Sequence, residues 1–172
     1  MTNRPKGVPA EAPWKDGVEP VFRHLDDMQW QQVRTQMHPS GQKSVWEKWF
    51  AFGRDPQYLS MYAKWDPGMV VHPHGHYSPQ AVYVLEGGMH VGERWCPKGT
   101  HIELPLGAAR GACVAGPDGV ELFEVMMGDP RSWPVDPQAF RAWCAERGIE
   151  QLPDPPIDLP DWIADRRGDQ HK

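Results

Sequence analysis

The sequence predicts an all-β domain, arranged as a sandwich or a small barrel. Between residues 58 and 127 the chain reads as short strands separated by turns, a spacing typical of these architectures. The 19 prolines and 17 glycines of this 172-residue chain suit such tight turns. No helical segment interrupts the strands, which argues against a parallel β-α-β fold.

Residues 1–57 are predicted to form an N-terminal extension that packs on this core. The first part is polar and rich in proline, which favours an extended segment. The stretch “HLDDMQWQQVRTQM” then predicts a short helix, because an aspartate can cap it and Trp30, Val33 and Met37 follow at helical spacing. “SVWEKWFAF” predicts a strand, which ends in the turn at Pro56.

The core itself, residues 58–127, is predicted to consist of seven segments with strand character. In chain order they are “YLSMYAKW”, “MVVHPHGH”, “QAVYVLEG”, “MHVGERW”, “THIELPL”, “ARGACVAG” and “VELFEVMM”. Each is bounded by glycine, proline or aspartate, the residues that most often occupy turns.

Residues 128–172 are predicted to form a short helix and a Pro-rich tail. Asp136 and Pro137 are a suitable N-cap and first helical residue, and Gly148 suits the position just after the helix. One helical face carries Phe140, Trp143 and Cys144. In the tail, the apolar residues expected to anchor it to the barrel or to a partner subunit are Ile157, Leu159 and Trp162.

Composition and charge exclude several classes of function. The net charge is −5 and no basic stripe is present, which argues against nucleic acid as the main partner. No apolar run approaches the roughly 20 residues of a membrane-spanning helix. The first residues lack the apolar core of a signal peptide, and three widely spaced cysteines fit free thiols in a reducing compartment. We therefore expect a cytoplasmic protein.

The stretch “VVHPHGHYSPQ” carries the strongest chemical signal. His72, His74 and His76 occupy alternate positions, so a strand would place them on one face. Imidazole is the commonest metal ligand, and two such residues on one strand can meet one ion. Gln80, just beyond the following loop, offers an amide oxygen as a possible third ligand.

This stretch resembles the first motif of the cupin superfamily. That motif is Gly, five residues, His-x-His, three or four residues, Glu, six residues, Gly. Here the glycines are Gly68 and Gly87, the histidines are His74 and His76, and Gln80 stands where the family usually has glutamate. Every spacing fits.

The second cupin motif follows in order, with two departures. It is Gly, five residues, Pro-x-Gly, two residues, His, three residues, Asn. Gly99, Pro105 and Gly107 match in register, whereas Arg110 replaces the metal-binding histidine and Val114 replaces the asparagine. The resemblance, over about residues 58–127, implies a single jelly-roll barrel, a double-stranded β-helix, and commonly a homodimer.

The resemblance also implies a bound divalent transition metal, most often iron, with manganese, nickel, zinc and copper as alternatives. The family's ligands are three histidines and a glutamate, so His74 and His76 keep that role and Gln80 stands in for the carboxylate. Arg110 cannot coordinate, because it is a permanent cation with donors only. A guanidinium about 4 Å from a dication would be repelled by roughly 8 kcal/mol at an effective dielectric near 20.

Three arrangements would avoid this repulsion. Arg110 can turn away and pair with an acid such as Glu103 or Glu124. An anionic substrate can lie between Arg110 and the metal. Alternatively the site holds no metal, and Arg110 binds a carboxylate directly through its bidentate fork.

The segment “THIELPL” offers a replacement for the histidine ligand that Arg110 cannot supply, because His101 and Glu103 share one face of this strand. If that face is the inner one, His101 is the third nitrogen ligand and Glu103 a supporting acceptor or base. Glu124 is a further candidate acid or base facing the cavity. His90 is an alternative ligand, and His72 suits a contact at the rim.

These observations favour a metal-dependent enzyme acting on a small anionic or enolisable molecule. The metal ligands would be His74, His76, Gln80 and His101, with Glu103, Arg110 and Glu124 in catalysis. By resemblance the reaction is most often that of a dioxygenase, an oxidoreductase, with a lyase or isomerase as the alternative. A non-catalytic cupin that binds an acidic ligand through Arg110, and a scaffold that serves assembly alone, stay open.

Overall fold

The computed structural model of the protein describes residues 4–160, which form twelve β-strands, one α-helix and a short 3-10 turn. The 3-10 turn is Leu25–Asp27 and the helix α1 is Pro137–Glu146. The strands are β1 (Gln31–His38), β2 (Gly41–Arg54), β3 (Gln57–Trp65), β4 (Val70–Val71), β5 (His74–His76), β6 (Gln80–Val91), β7 (Arg94–Pro97), β8 (His101–Leu104), β9 (Ala109–Arg110), β10 (Cys113–Met126), β11 (Ser132–Pro134) and β12 (Glu150–Gln151).

The strands form two antiparallel sheets. The larger one runs in the order β12-β1-β2-β3-β10-β6-β7, with β4 paired to β10 and β8 paired to β6. The smaller sheet has the order β11-β5-β9. This is the all-β jelly roll that the sequence predicts, and its larger sheet includes β1 and β2 from the predicted extension.

The hydrophobic core lies against the inner face of the larger sheet. Its fully buried members include Met69, Val82, Val84, Met89 and Leu122. Burial of each such side chain contributes about 1.5–3 kcal/mol before the entropy of ordering is counted. All three cysteines are buried and unpaired, as the sequence predicts.

The predicted strands form, although two of the predicted breaks do not end a strand. β6 continues through Gly87 and Gly88, and β10 continues through Gly116 and Gly119, with register shifts between the two strands. A Cβ at Gly87, whose φ is 66°, would lie 2.2 Å from the carbonyl oxygen of Gly119. Glycine therefore lets the two backbones approach here and makes the long strands continuous.

The predicted helix in “HLDDMQWQQVRTQM” is wrong. Only Leu25–Asp27 has a helical turn, and Gln31–His38 is strand β1, paired along its length with β2. Strand pairing satisfies its backbone with a partner, and the β-branched Val33 and Thr35 fit a strand well. Tertiary pairing thus overrides the helical spacing of the apolar residues.

The C-terminal helix is confirmed. The Asp136 side chain accepts a hydrogen bond from the Ala139 backbone N–H at 2.9 Å, and Gly148 has φ 65° just beyond the helix. Phe140 and Cys144 are buried in a second apolar cluster. Within residues 4–160, no helix is long and apolar enough to cross a membrane.

The chain after the helix returns to the first strand. β12 pairs with β1, the Leu152 N–H donates to the Thr35 carbonyl at 3.2 Å, and the Asp158 N–H donates to Gln31 Oε1 at 2.8 Å. The predicted anchor Trp162 lies outside the described residues.

We predict that Gln36→Leu destabilises the fold, because Gln36 is fully buried and bonds both backbone groups of Val70. Its Nε2 donates to the Val70 carbonyl at 2.6 Å, and its Oε1 accepts from the Val70 N–H at 3.3 Å. Leucine would leave both groups unpaired, at a cost of about 2–4 kcal/mol. Urea unfolding measures the change. The neighbouring control Met37→Leu, on a half-exposed residue, should change stability by less than about 0.5 kcal/mol.

Candidate functional site

A cavity of about 220 Å³ lies between the two sheets. The larger sheet contributes residues such as Met61 and Glu124 to its wall, and the smaller sheet contributes His74, His76 and Arg110. The apolar part of the wall includes Trp49, Leu59, Met61, Trp65, Val71 and Met126. The cavity therefore combines an apolar wall with one cluster of polar side chains.

The two motif histidines are brought together by the short strand β5. The strand alternation places both on one face, and the ring centroids of His74 and His76 are 5.1 Å apart. Gly75 between them allows close packing, since a Cβ there would lie 2.2 Å from the Trp133 ring. On the neighbouring strand β9, Arg110 is paired with His74.

Both ring nitrogens of His74 are engaged. Nδ1 donates to the His72 carbonyl at 2.6 Å. Nε2 accepts from Arg110, whose Nη2 lies at 2.8 Å and Nε at 3.2 Å. Burial, and then the Arg110 charge, hold the pKa of His74 well below its usual range. His74 is therefore a neutral imidazole that orients the guanidinium.

His76 has one nitrogen engaged and one without a partner. Nδ1 donates to the Pro130 carbonyl at 3.1 Å. Nε2 is buried and has no hydrogen-bond partner in the described part of the chain. Burial, and then the Arg110 charge, lower the pKa of His76 to about 4. At neutral pH its Nε2 is consequently an acceptor.

Gln80 and Glu124 form a buried pair beside this cluster. The Gln80 amide donates to Glu124 Oε2, and Gln80 Oε1 has no partner within residues 4–160. Burial raises the pKa of Glu124, although the nearby Arg110 acts in the opposite direction. Glu124 lines the cavity, and its role as an acid or base stays a prediction.

Arg110 is a buried cation without a paired anion. It is only 8% exposed, and no carboxylate of residues 4–160 forms an ion pair with it. Its Nη1 is buried and has no hydrogen-bond partner in that range. Of the three arrangements considered for Arg110, the turn toward Glu103 or Glu124 is therefore not the one adopted.

The expected contribution of His101 and Glu103 to the cavity is corrected by the structure. β8 pairs with β6 so that His101 lies beside the exposed Tyr83, while Ile102 lies beside the buried Val82. Paired residues share a face, so Ile102 turns inward and both His101 and Glu103 are exposed. They do not line the cavity with His74 and His76.

Two further candidate histidines, His72 and His90, lie in different places. His72 lines the cavity, and its Nδ1 lies 3.0 Å from Arg34 Nη1. His90 is exposed, with its ring centroid 5.0 Å from that of Trp95. Arg34 and Asp154 also line the cavity, and the motifs gave no signal for either residue.

The donor set of this cluster does not fit a transition metal. The ligand nitrogen of His74 is held by a permanent cation, and neutral His76 and Gln80 supply no negative charge to offset that cation. The described residues contain no group of three or more His, Cys, Asp or Glu placed to hold a metal ion. Arg110 thus engages the Nε2 lone pair of His74 that a metal would need.

The fold and this cluster together define a cupin. More specifically, the chain belongs to the ChrR cupin-like domain family, whose sequence model matches residues 18–124. No curated protein matches the sequence.

Solved structures extend the likeness in fold. A candidate acetylacetone dioxygenase from Methylibium petroleiphilum PM1 aligns with a TM-score of 0.60 at 12% identity, over 90% of this chain and 99% of that one. The acetylacetone dioxygenase from Acinetobacter johnsonii aligns with a TM-score of 0.57 at 14% identity, over 78% and 97%. An RmlC-like cupin from Ralstonia eutropha JMP134 aligns with a TM-score of 0.55 at 15% identity, over 79% of this chain and 94% of that one.

We predict that His76 makes the protein less stable as the pH falls from 6.5 to 4. In this window the unfolded chain takes up a proton at His76 and the folded chain does not, so acid favours unfolding. The shift corresponds to roughly 3 kcal/mol. Urea unfolding across this pH range should show that the free energy of unfolding falls less in His76→Gln than in the native protein, by this amount. The exposed control His24→Gln should follow the native protein, and equal losses in all three proteins would contradict the prediction.

Proposed function

We propose that the cavity binds a small anionic organic molecule through Arg110, without a transition metal at the His74–His76 position. The observation that supports this most directly is the buried guanidinium with no paired anion and with Nη1 unpartnered in residues 4–160. A buried charge is costly unless it is paired. A carboxylate from the ligand would supply the missing charge.

The contacts of Arg110 prepare it for this role. His74 accepts from Nη2 and Nε, which fixes the plane of the guanidinium and leaves Nη1 available. Charge-assisted bonds from a fixed guanidinium to a carboxylate are among the stronger polar contacts in proteins. The low pKa values of His74 and His76 keep both rings from adding a competing positive charge.

The apolar wall determines the rest of the ligand. The cavity wall also contains Trp65, Met61, Leu59 and Met126. These side chains favour an apolar body attached to the anionic group, because pockets of this kind bind by apolar contact and use few polar groups for orientation.

A metal-dependent enzyme of the dioxygenase type is the second candidate. It is favoured by two buried potential ligand atoms that lack partners in the described chain, His76 Nε2 and Gln80 Oε1, and by the likeness in fold to acetylacetone dioxygenases. It requires Arg110 to leave His74 so that iron or a similar metal can bind. A metal-dependent lyase or isomerase has the same requirement.

We predict that the native protein holds no stoichiometric iron, manganese, nickel, copper or zinc, and that Arg110→His gains metal binding. The substitution removes the cation and adds an imidazole beside His74 and His76, which restores the three histidines of the family's ligand set, with Gln80 in place of the glutamate. Elemental analysis after purification without a His tag, and again after incubation with each metal, measures the difference.

Arg110→Gln is the matched control, since it removes the charge and adds no imidazole. Stoichiometric metal in the native protein, lost in His74→Ala, would overturn the metal-free proposal and favour the second candidate.

We also predict that the native protein binds phenylacetate or 4-methylpentanoate and that Arg110→Gln weakens this binding by about 10–100-fold, the value of a charge-assisted hydrogen bond. Calorimetry measures affinity, and the fluorescence of Trp49 and Trp65 in the cavity wall gives a second signal. Arg94→Gln, at an exposed arginine of β7, should leave affinity unchanged. Failure of both acids to bind at millimolar concentration would contradict the proposal.

A further inference from the structure

We infer that the ligand of this cavity is a small hydroxycarboxylic acid, whose carboxylate binds Arg110 and whose hydroxyl donates a hydrogen bond to Nε2 of His76. This inference rests on the proposed function and adds a second recognition group to it. The cavity-lining residues that carry it are Arg110 and His76, each with one buried polar atom unpartnered in residues 4–160.

The two unpartnered atoms have opposite requirements. Nη1 of Arg110 carries hydrogens and can only donate. The Pro130 carbonyl can only accept, so the His76 proton is on Nδ1 and Nε2 presents a lone pair. A carboxylate satisfies Arg110 but has no hydrogen to offer His76. A ligand that satisfies both residues therefore needs a donor in addition to its acid group.

A third polar atom in the wall agrees with an oxygen-rich ligand. Trp65 lines the cavity from the larger sheet, and its Nε1 is buried and has no partner among the described residues. The indole N–H is a donor only. Carboxylate and hydroxyl oxygens both offer lone pairs that it can bond.

The donor on the ligand should be neutral. An ammonium group could also donate to Nε2 of His76, but it would add a second positive charge beside Arg110. Arg110 already lowers the pKa of His76, which shows that the ring lies within its field. A hydroxyl group supplies the hydrogen without this repulsion, so hydroxy acids should bind better than the corresponding amino acids.

The size of the cavity limits the ligand to a small molecule. An engineered cavity of about 150 Å³ holds a benzene molecule. The 220 Å³ present here therefore suits an apolar body of about that size plus two polar groups, on the order of ten non-hydrogen atoms. Mandelate, a phenyl ring that carries a hydroxyl and a carboxylate, is a probe of this class.

The test compares three matched probes by calorimetry: mandelate, phenylacetate, which lacks the hydroxyl, and phenylglycine, which has an ammonium in its place. The native protein should bind mandelate about tenfold or more tightly than phenylacetate, because the latter leaves His76 unsatisfied. Phenylglycine should bind more weakly than either. The pair 3-hydroxybenzoate and benzoate tests the same preference with the hydroxyl farther from the acid.

Substitution of His76 assigns the preference to its acceptor. His76→Phe should reduce mandelate affinity to that of phenylacetate and leave phenylacetate affinity nearly unchanged. His76→Gln, which keeps an acceptor oxygen, should retain part of the preference and provides a second variant if the first does not fold.

The outcomes separate this inference from the proposed function. If neither hydroxylated probe is preferred, but the acids bind and lose affinity in Arg110→Gln, the hydroxy-acid inference is wrong and the proposed function stands. A hydroxyl preference that survives unchanged in both His76 variants would also overturn the inference. If no acid binds, the proposed function itself fails.

Discussion

The contact between Arg110 and His74 determines what this cupin can do. The guanidinium donates twice to Nε2 of His74, the ring nitrogen that a metal would otherwise bind. The backbone pairing of β9 with β5 holds the two residues side by side. The interaction is favourable only if the imidazole is neutral, and burial ensures that it is. A fold often associated with metal ions therefore contains a fixed organic cation at the same place.

Several properties of the site follow from this cation. After burial, it is the largest cause of the low pKa of both motif histidines, and it opposes the rise that burial causes in the pKa of Glu124. Hydrogen bonds fix which atoms of the cluster donate and which accept. His74 accepts from Arg110, Gln80 donates to Glu124, and the Pro130 carbonyl fixes the tautomer of His76. The cluster is organised before any ligand arrives, which reduces the cost of binding.

The sequence predicts the architecture well where local signals agree with tertiary pairing. The strands, the capped helix and the pairing of His74 with His76 on one face follow from alternation, turn residues and motif spacing. The homodimer and the cytoplasmic location remain predictions. Alternation shows that His101 and Glu103 share a face, but it does not show which face of the strand is inner. The pairing of β8 with β6 decides this, and it turns Ile102 inward and both His101 and Glu103 outward. The N-terminal helix failed because the partner strand of β1 decides its structure.

The segment that follows the helix forms part of the cavity wall but lies outside the region that the family shares. The family match ends at residue 124, whereas Met126, Arg131, Asp154, Ile157 and Leu159 also form the cavity wall. The last of these belong to the segment that returns along β1 by a few hydrogen bonds, to the backbone of Thr35 and to the side chain of Gln31. Substitutions in this returning segment can change the shape of the cavity without disturbing the shared barrel. Under the proposed function, two members of this family with equivalent barrels would select different molecules, and comparing their cores alone would not reveal the difference.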